Sequence, residues 1–217
     1  MRSLDRVLTP ELLDSLDPRD PRAIRSRRDL VFIDAFMGNS RWITESVARS
    51  SSARNGIVEL GAGEGRLCER LHQALPDCEI TGLDLIPKPH KLSEGIHWVA
   101  GDFLKTLDTV RGGVCVGSLV LHHFSDDVLR ELGQRLARFS KLVFAEPLRS
   151  PGPLAASALV SPLVGEVTRH DMPASIRAGF LPGELGPILA LDPTLWTIRE
   201  ATTFMGALRF IASRSGS

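Results

Sequence analysis

The segment Val58-Glu59-Leu60-Gly61-Ala62-Gly63-Glu64-Gly65-Arg66-Leu67 constrains the fold of this chain more than any other. A short apolar run enters three alternating glycines and leaves into a helical pattern. Glycines at such a turn accept positive φ and let another group approach the main chain. The following helix presents free N–H groups and a partial positive charge. A tight strand-to-helix turn with no ligand would use the same residues, but the surrounding pattern favours a ligand turn. The dinucleotide fingerprint is G-x-G-x-x-G; Gly61 and Gly63 fit it, while Arg66 stands where the third glycine belongs. Glu59, just before the loop, also argues for a ligand with a positive group nearby and against a pyrophosphate.

Around this loop, residues 55–147 alternate short apolar runs with helical patterns. Strands are predicted at Gly56–Leu60, Glu79–Asp84, Ile96–Val99, Val114–Val120 and Lys141–Glu146, and helices at Arg66–Leu75 and Asp126–Arg138. This repetition means a parallel sheet with helices on its faces, and burial on both faces explains why the strands are continuously apolar. Leu195–Thr202 and Ala207–Ala212 read as an antiparallel pair closing one sheet edge. The expected class is α/β: a Rossmann-like, doubly wound, mostly parallel seven-stranded sheet with a terminal antiparallel hairpin and an N-terminal helical cap.

The flanks are different. Residues 1–52 form the predicted cap, with a helix opening at Pro10 under a Thr9 N-cap. A turn follows at Asp17–Pro21. A second helix runs from Pro21 to Phe36 with Ile24, Leu30, Ile33 and Phe36 on one face, and a third begins at Trp42. Residues 53–217 make the ligand-binding domain, within which 148–182 form a lid. The apolar residues Leu154, Leu159, Val160, Leu163 and Val164 in that lid suggest an apolar pocket, and a further helix is expected near Gly183–Leu191.

Composition excludes several classes. Lys+Arg and Asp+Glu are both 26 in 217 residues, so a nucleic-acid partner held by phosphate neutralisation is not expected. No apolar run reaches the length of a membrane span. Met1–Arg6 carries an early acid and no apolar core of a signal peptide, so a soluble cytoplasmic protein is expected. Cys68, Cys78 and Cys115 have no CxxC spacing, which argues against a disulfide framework or a structural zinc site. Tyrosine is absent, which removes phenolic bases.

Two acidic residues extend the glycine-loop reading. Asp84 ends the second strand where a carboxylate can accept both ribose hydroxyls. Asp102 ends the third, where it either accepts from an adenine amino group or caps a helix; the two readings weigh evenly. Together, Glu59–Gly65, Gly82-Leu83-Asp84, Gly101-Asp102-Phe103 and Gly117-Ser118-Leu119-Val120-Leu121-His122-His123-Phe124 resemble the class I S-adenosylmethionine-dependent methyltransferases of the small-molecule type. The resemblance covers about residues 53–147. It implies S-adenosyl-L-methionine as cofactor. The Gly61-Ala62-Gly63 and Gly65 main chain would hold the methionine portion, Asp84 the ribose, Asp102 with the Phe103 amide the adenine, and Ser118 would lie beside the sulfonium region, with Glu59 and Leu85 as further cofactor contacts.

Catalytic candidates are His122 and His123, at the carboxyl edge of the sheet, and His170. If the backbone there is extended, only one of the paired histidines faces the cleft, and the other packs. Arg41, Trp42, Arg169 and Arg177 are candidate substrate contacts. For Trp42 and Arg41 a packed indole with a surface Arg is the plainer alternative, and Asp171 is read as a helix cap. Glu146 points toward the cleft but reads as structural. No Asn/Asp-Pro-Pro-Tyr/Phe or Pro-Cys motif follows the fourth strand, which disfavours amino-nitrogen and cytosine C5 methylation, and no metal is expected. The chain is therefore read as a methyltransferase acting on an oxygen or carbon of a small apolar or aromatic molecule, as a possible homodimer. A nicotinamide-dependent oxidoreductase and a non-catalytic binding protein of the same fold are the alternatives.

Overall fold

The computed structural model describes residues 4–215; Met1–Ser3 of the cap and Gly216–Ser217 of the second unit lie outside them. The N-terminal segment carries three helices, α1 (Leu12–Ser15), α2 (Pro21–Met37) and α3 (Asn39–Ala48). The next elements are β1 (Ile57–Leu60), α4 (Arg66–Ala74), β2 (Ile80–Asp84), β3 (Ile96–Ala100), α5 (Phe103–Thr106) and β4 (Val114–Ser118). A 3-10 turn at Leu121–His123 leads into α6 (Asp126–Leu136) and β5 (Lys141–Pro147). The chain ends with α7 (Pro151–Val160), α8 (Glu166–Ala178), α9 (Leu185–Ile188), β6 (Trp196–Thr202) and β7 (Ala207–Arg214).

The sheet order is β3-β2-β1-β4-β5-β7-β6. The first five strands are parallel, and β7 pairs antiparallel with both β5 and β6, as the sequence pattern predicts. Alternation along each strand divides the core between two faces. Val58, Leu60, Leu83, Cys115, Leu142 and Phe144 pack with α5, α6 and α9, while Ile57, Ile80, Val114, Val116 and Val143 pack with α3 and α4. Strand order reverses between β1 and β4, the topological switch point at which open α/β sheets bind ligands. Leu60 lies level with both Leu83 and Gly117, so the glycine loop, Asp84 and Ser118 all leave the same sheet edge.

The flanks depart from the sequence reading where long-range contacts override local signals. Thr9 does not cap α1. That helix starts at Leu12, and the N–H groups of Leu12 and Leu13 are held by the Asp171 carboxylate of α8, at 2.8 and 3.0 Å. The interruption at Met37–Ser40 is a single left-handed residue, Gly38 (φ 65°), and α3 begins at once with Asn39 instead of at Trp42. Residues 148–182 contain a full helix, α8, that its Pro173 concealed. Leu159 and Leu163 point to solvent (80% and 79% exposed), against the expectation that they line a pocket. No helix among the described residues is long and apolar enough to cross a membrane.

The exit of α8 is stitched to the end of β5. Phe180 N–H donates to Pro147 C=O at 3.0 Å, and a Cβ on Gly179 would stand 2.2 Å from that same oxygen. Backbone cannot yield there as a side-chain tip can. Gly179→Ala should therefore lower stability by about 1–3 kcal/mol, several degrees in Tm, in a thermal unfolding scan.

Candidate active site

Three glycines form the loop at the switch point, all with positive φ: Gly61 (63°), Gly63 (53°) and Gly65 (74°). A Cβ on Gly61 would lie 2.5 Å from Val120 Cγ2, and one on Gly65 would lie 2.4 Å from Leu92 Cδ1. Positive φ favours glycine at both positions, and side chains fill the space a Cβ would take. At Gly63 a Cβ would meet nothing within 4 Å, so the middle glycine bares its main chain to open space. Asp84 braces it: Oδ2 accepts the Gly63 N–H at 2.7 Å and Oδ1 accepts the Ile86 N–H at 3.1 Å. Leu85 beside it is 77% exposed. Ser118 stands half-buried at the tip of β4.

Three residues of the expected cofactor site make contacts within the chain. Asp102 Oδ1 accepts the Leu104 N–H at 2.9 Å, so its helix-cap role is realised. Phe103 is buried, with its ring edge-on to Phe124 at 5.0 Å. Strand alternation turns Glu59 under α4, where it is 4% exposed and accepts from Cys68 Sγ at 2.9 Å. Burial lifts its pKa to about 8, with the charge of Asp84 adding to the rise.

On the other side of β4 the chain builds a charged pole. Leu119 adopts φ 56°, costly for a branched residue, and this turns the next three residues around the Glu146 carboxylate. Glu146 Oε1 accepts the N–H groups of Val120 and Leu121 at 3.0 and 2.9 Å, and Oε2 accepts that of His122 at 3.3 Å. His122 Nδ1 lies 2.8 Å from Oε2 of the same carboxylate. Glu146 is 0% and His122 3% exposed. Glu11 of the N-terminal segment meets the other side of the ring, its Oε1 3.5 Å from His122 Nε2, and Ser175 Oγ donates to Glu11. Burial pulls the His122 pKa down, but Glu11 and Glu146 outweigh it and raise the value to about 9.

His123 joins the same pole. The backbone is a 3-10 turn and not extended, so the two rings lie on the same side, tilted 35° to each other with centroids 4.2 Å apart. His123 Nδ1 stands 3.5 Å from Asp14 Oδ2, and its side chain is 29% exposed. Both histidines, with Glu11 and Asp14, line one end of a cavity of about 280 Å³. Its walls are largely apolar: Leu30, Ile33, Phe36 and Met37 of α2, together with Val160 of α7 and Leu119. Leu30, Ile33 and Phe36 of the stripe predicted on α2 thus form the wall, whereas Ile24 does not line it, and of Leu154, Leu159, Val160, Leu163 and Val164, assigned to a pocket, only Val160 does.

The remaining candidates lie elsewhere. His170 is half-exposed, bonded to Asp171 at 2.9 Å, and absent from the cavity lining. Arg169 donates to the Ser161 and Val164 carbonyls, and Arg177 is exposed on α8. Arg41 pairs with Glu45 in solvent, and Trp42 packs on the core with the Arg209 guanidinium 5.2 Å over its ring. Glu11 and Asp14 were not foreseen as site residues, because no local pattern ties them to histidines so distant in sequence.

No protein-family profile matches the sequence, and no curated protein matches it. Among solved structures, the chain superposes on the plantazolicin methyltransferase BamL, in complex with a triazolic desmethylPZN analog and SAH. The TM-score is 0.72 at 10% identity, over 93% of this chain and 92% of that one. It also superposes on human N-acetylserotonin methyltransferase in complex with SAM (TM-score 0.61, 18% identity, 93% of this chain). A third is an O-methyltransferase family protein from Burkholderia thailandensis (TM-score 0.60, 16% identity, 94% of this chain). The chain spans only 61% and 64% of the last two chains. At these identities the likeness establishes the fold: this chain has the Rossmann-like architecture of methyltransferases.

Two outcomes follow from these buried carboxylates. Glu146→Ala leaves three N–H groups without their acceptor, at about 1–3 kcal/mol each when water cannot replace it. Urea unfolding should show a loss of at least ~3 kcal/mol, and Glu146→Gln, which keeps an acceptor oxygen, should lose less. Glu59 favours its neutral form in the fold, so its contribution is complete below the unfolded pKa near 4.5 and is lost as pH rises through about 8. Glu59→Gln removes this loss, and its Tm relative to wild type should climb across that interval.

Proposed function

We propose that the protein is an S-adenosylmethionine-dependent methyltransferase that acts on a small apolar molecule, with an oxygen as the first candidate acceptor atom and a carbon as the second. One observation carries the reading. Leu119 lines the apolar cavity and the next residue, Val120, packs against Gly61, so the glycine loop and the cavity lie on either side of one turn of chain. A donor at the loop would lie beside an acceptor in the cavity.

The residues present suit this cofactor. Open main chain at Gly63 leaves room for an amino-acid tail, and Asp84 stands at the adjacent strand tip for ribose hydroxyls. In this reading the Gly61–Gly65 segment holds the methionine portion, Asp102 and the Phe103 amide face the adenine, and Ser118 borders the sulfonium. When bound, the cofactor supplies a methyl group already activated by its positive sulfur. The chain must then align the acceptor with the methyl and exclude water. Leu30, Ile33, Phe36 and Met37 provide the dry wall, and the histidine pole marks where the acceptor's polar atom sits. The structural neighbours in complex with SAM or SAH support the reading by analogy of fold. Arg66 in place of the third fingerprint glycine weighs against the nicotinamide alternative.

Isothermal titration with S-adenosylhomocysteine and with NADH tests the proposal. Saturable binding of S-adenosylhomocysteine alone is expected, and Asp84→Ala should weaken it at least ~10-fold, as loss of a hydrogen bond to a charged group does. Binding of NADH in its place, or undiminished affinity in Asp84→Ala, overturns the assignment.

A further inference from the structure

The pole of the cavity has the chemistry of a metal centre. Glu11, His122 and His123 each offer a ligand atom, and these atoms lie within 4.8 Å of one another. We propose that Glu11, His122 and His123 bind one divalent transition-metal ion of the zinc type.

Ligand spacing supports this. The gap between His122 Nε2 and Glu11 Oε1 is 3.5 Å, long for a hydrogen bond between such groups. Two ligands about 2.0–2.1 Å from a tetrahedral ion stand roughly 3.3 Å apart, so a small closure suffices. The donor set of two imidazoles and one carboxylate suits zinc and its first-row neighbours, whereas magnesium and calcium prefer all-oxygen shells.

The outer shell supports it independently. Metal-bound histidines place a carboxylate or carbonyl on the nitrogen that does not ligate, which fixes the tautomer and the ring. His122 follows that pattern: Glu146 lies on its Nδ1 at 2.8 Å, which turns Nε2 toward Glu11, while Asp14 stands 3.5 Å from Nδ1 of His123. Glu11 is oriented in turn by Ser175 Oγ, and its segment is pinned by the Asp171 carboxylate on the Leu12 and Leu13 N–H groups. Three protein ligands leave a fourth position, and here the cavity lies beside them. A water, or a hydroxyl or carbonyl oxygen of a small molecule, would complete the shell there; this last point alone rests on the function proposed above.

The test uses the full chain, freed of metal by a chelator and titrated with Co²⁺ and Zn²⁺ in the absence of cofactor. Visible d–d absorption of Co²⁺ reports the coordination geometry, and calorimetry reports Zn²⁺ affinity and stoichiometry. One ion per chain is expected, with a four- or five-coordinate cobalt spectrum. Glu11→Gln and His123→Ala should each weaken Zn²⁺ binding at least ~10-fold, the size of effect that even an outer-shell change can produce. His90→Ala should leave binding intact, and thermal scans confirm that each variant is folded. Absence of saturable binding, or equal binding by both ligand variants, overturns the proposal, the latter by assigning the ion to other histidines. Neither result bears on S-adenosylhomocysteine binding, so the cofactor reading stands or falls separately.

Discussion

A carboxylate removed from water needs donors for its lone pairs, and Glu146 finds four in one turn of chain. Three come from consecutive main-chain N–H groups and the fourth from the His122 ring. This arrangement fixes the path of the chain after β4, including the strained Leu119, and it holds His122 in a single orientation. The sheet supplies its rigidity, since Glu146 lies on β5 between the neighbours β4 and β7. Both faces of the candidate site follow from it. Val120, turned by the same network, packs against Gly61 of the loop on one side, while Leu119 and His122 line the cavity on the other.

The N-terminal segment completes what the sheet begins. Arg6 ties it down by donating to the Ala178 and Phe124 carbonyls and to Asp126, with its guanidinium 4.6 Å over the Phe180 ring. Asp171 then holds the start of α1, and Glu11 and Asp14 arrive beside the two histidines. On α2, Asp29 accepts from Gly165 N–H and Thr168 Oγ, and Arg27 reaches Glu64 in the glycine loop. The N-terminal segment therefore reaches both the glycine loop and the cavity.

The readable part of this fold is the part whose signals are local. The inner parallel strands are mainly apolar because they are buried on both faces, whereas the edge strand β3 exposes His97, and the strands are bounded by glycine or an acid. The loop Gly61–Gly65 was legible for the same reason. Gly61 and Gly65 are required by positive φ and by side chains that pack where a Cβ would stand. Glu59 shows the limit. Its sequence position beside the loop suggested a ligand contact, yet strand alternation turns it away, under α4. His122 and His123 were visible as a pair, but their shared orientation depends on a 3-10 turn that Glu146 imposes from another strand.

By itself, the sequence determined the alternation of strands and helices, the closing hairpin, the bare glycine turn and the acidic strand tips. These depend on residues near one another in the chain, so pattern and spacing suffice to specify them. Only the tertiary structure decided which carboxylates meet which histidines, that α2 walls the cavity, and that Asp171 caps a helix far away in sequence. Those outcomes depend on where separate segments dock, and docking is set by the summed packing and charge of surfaces that no single stretch encodes.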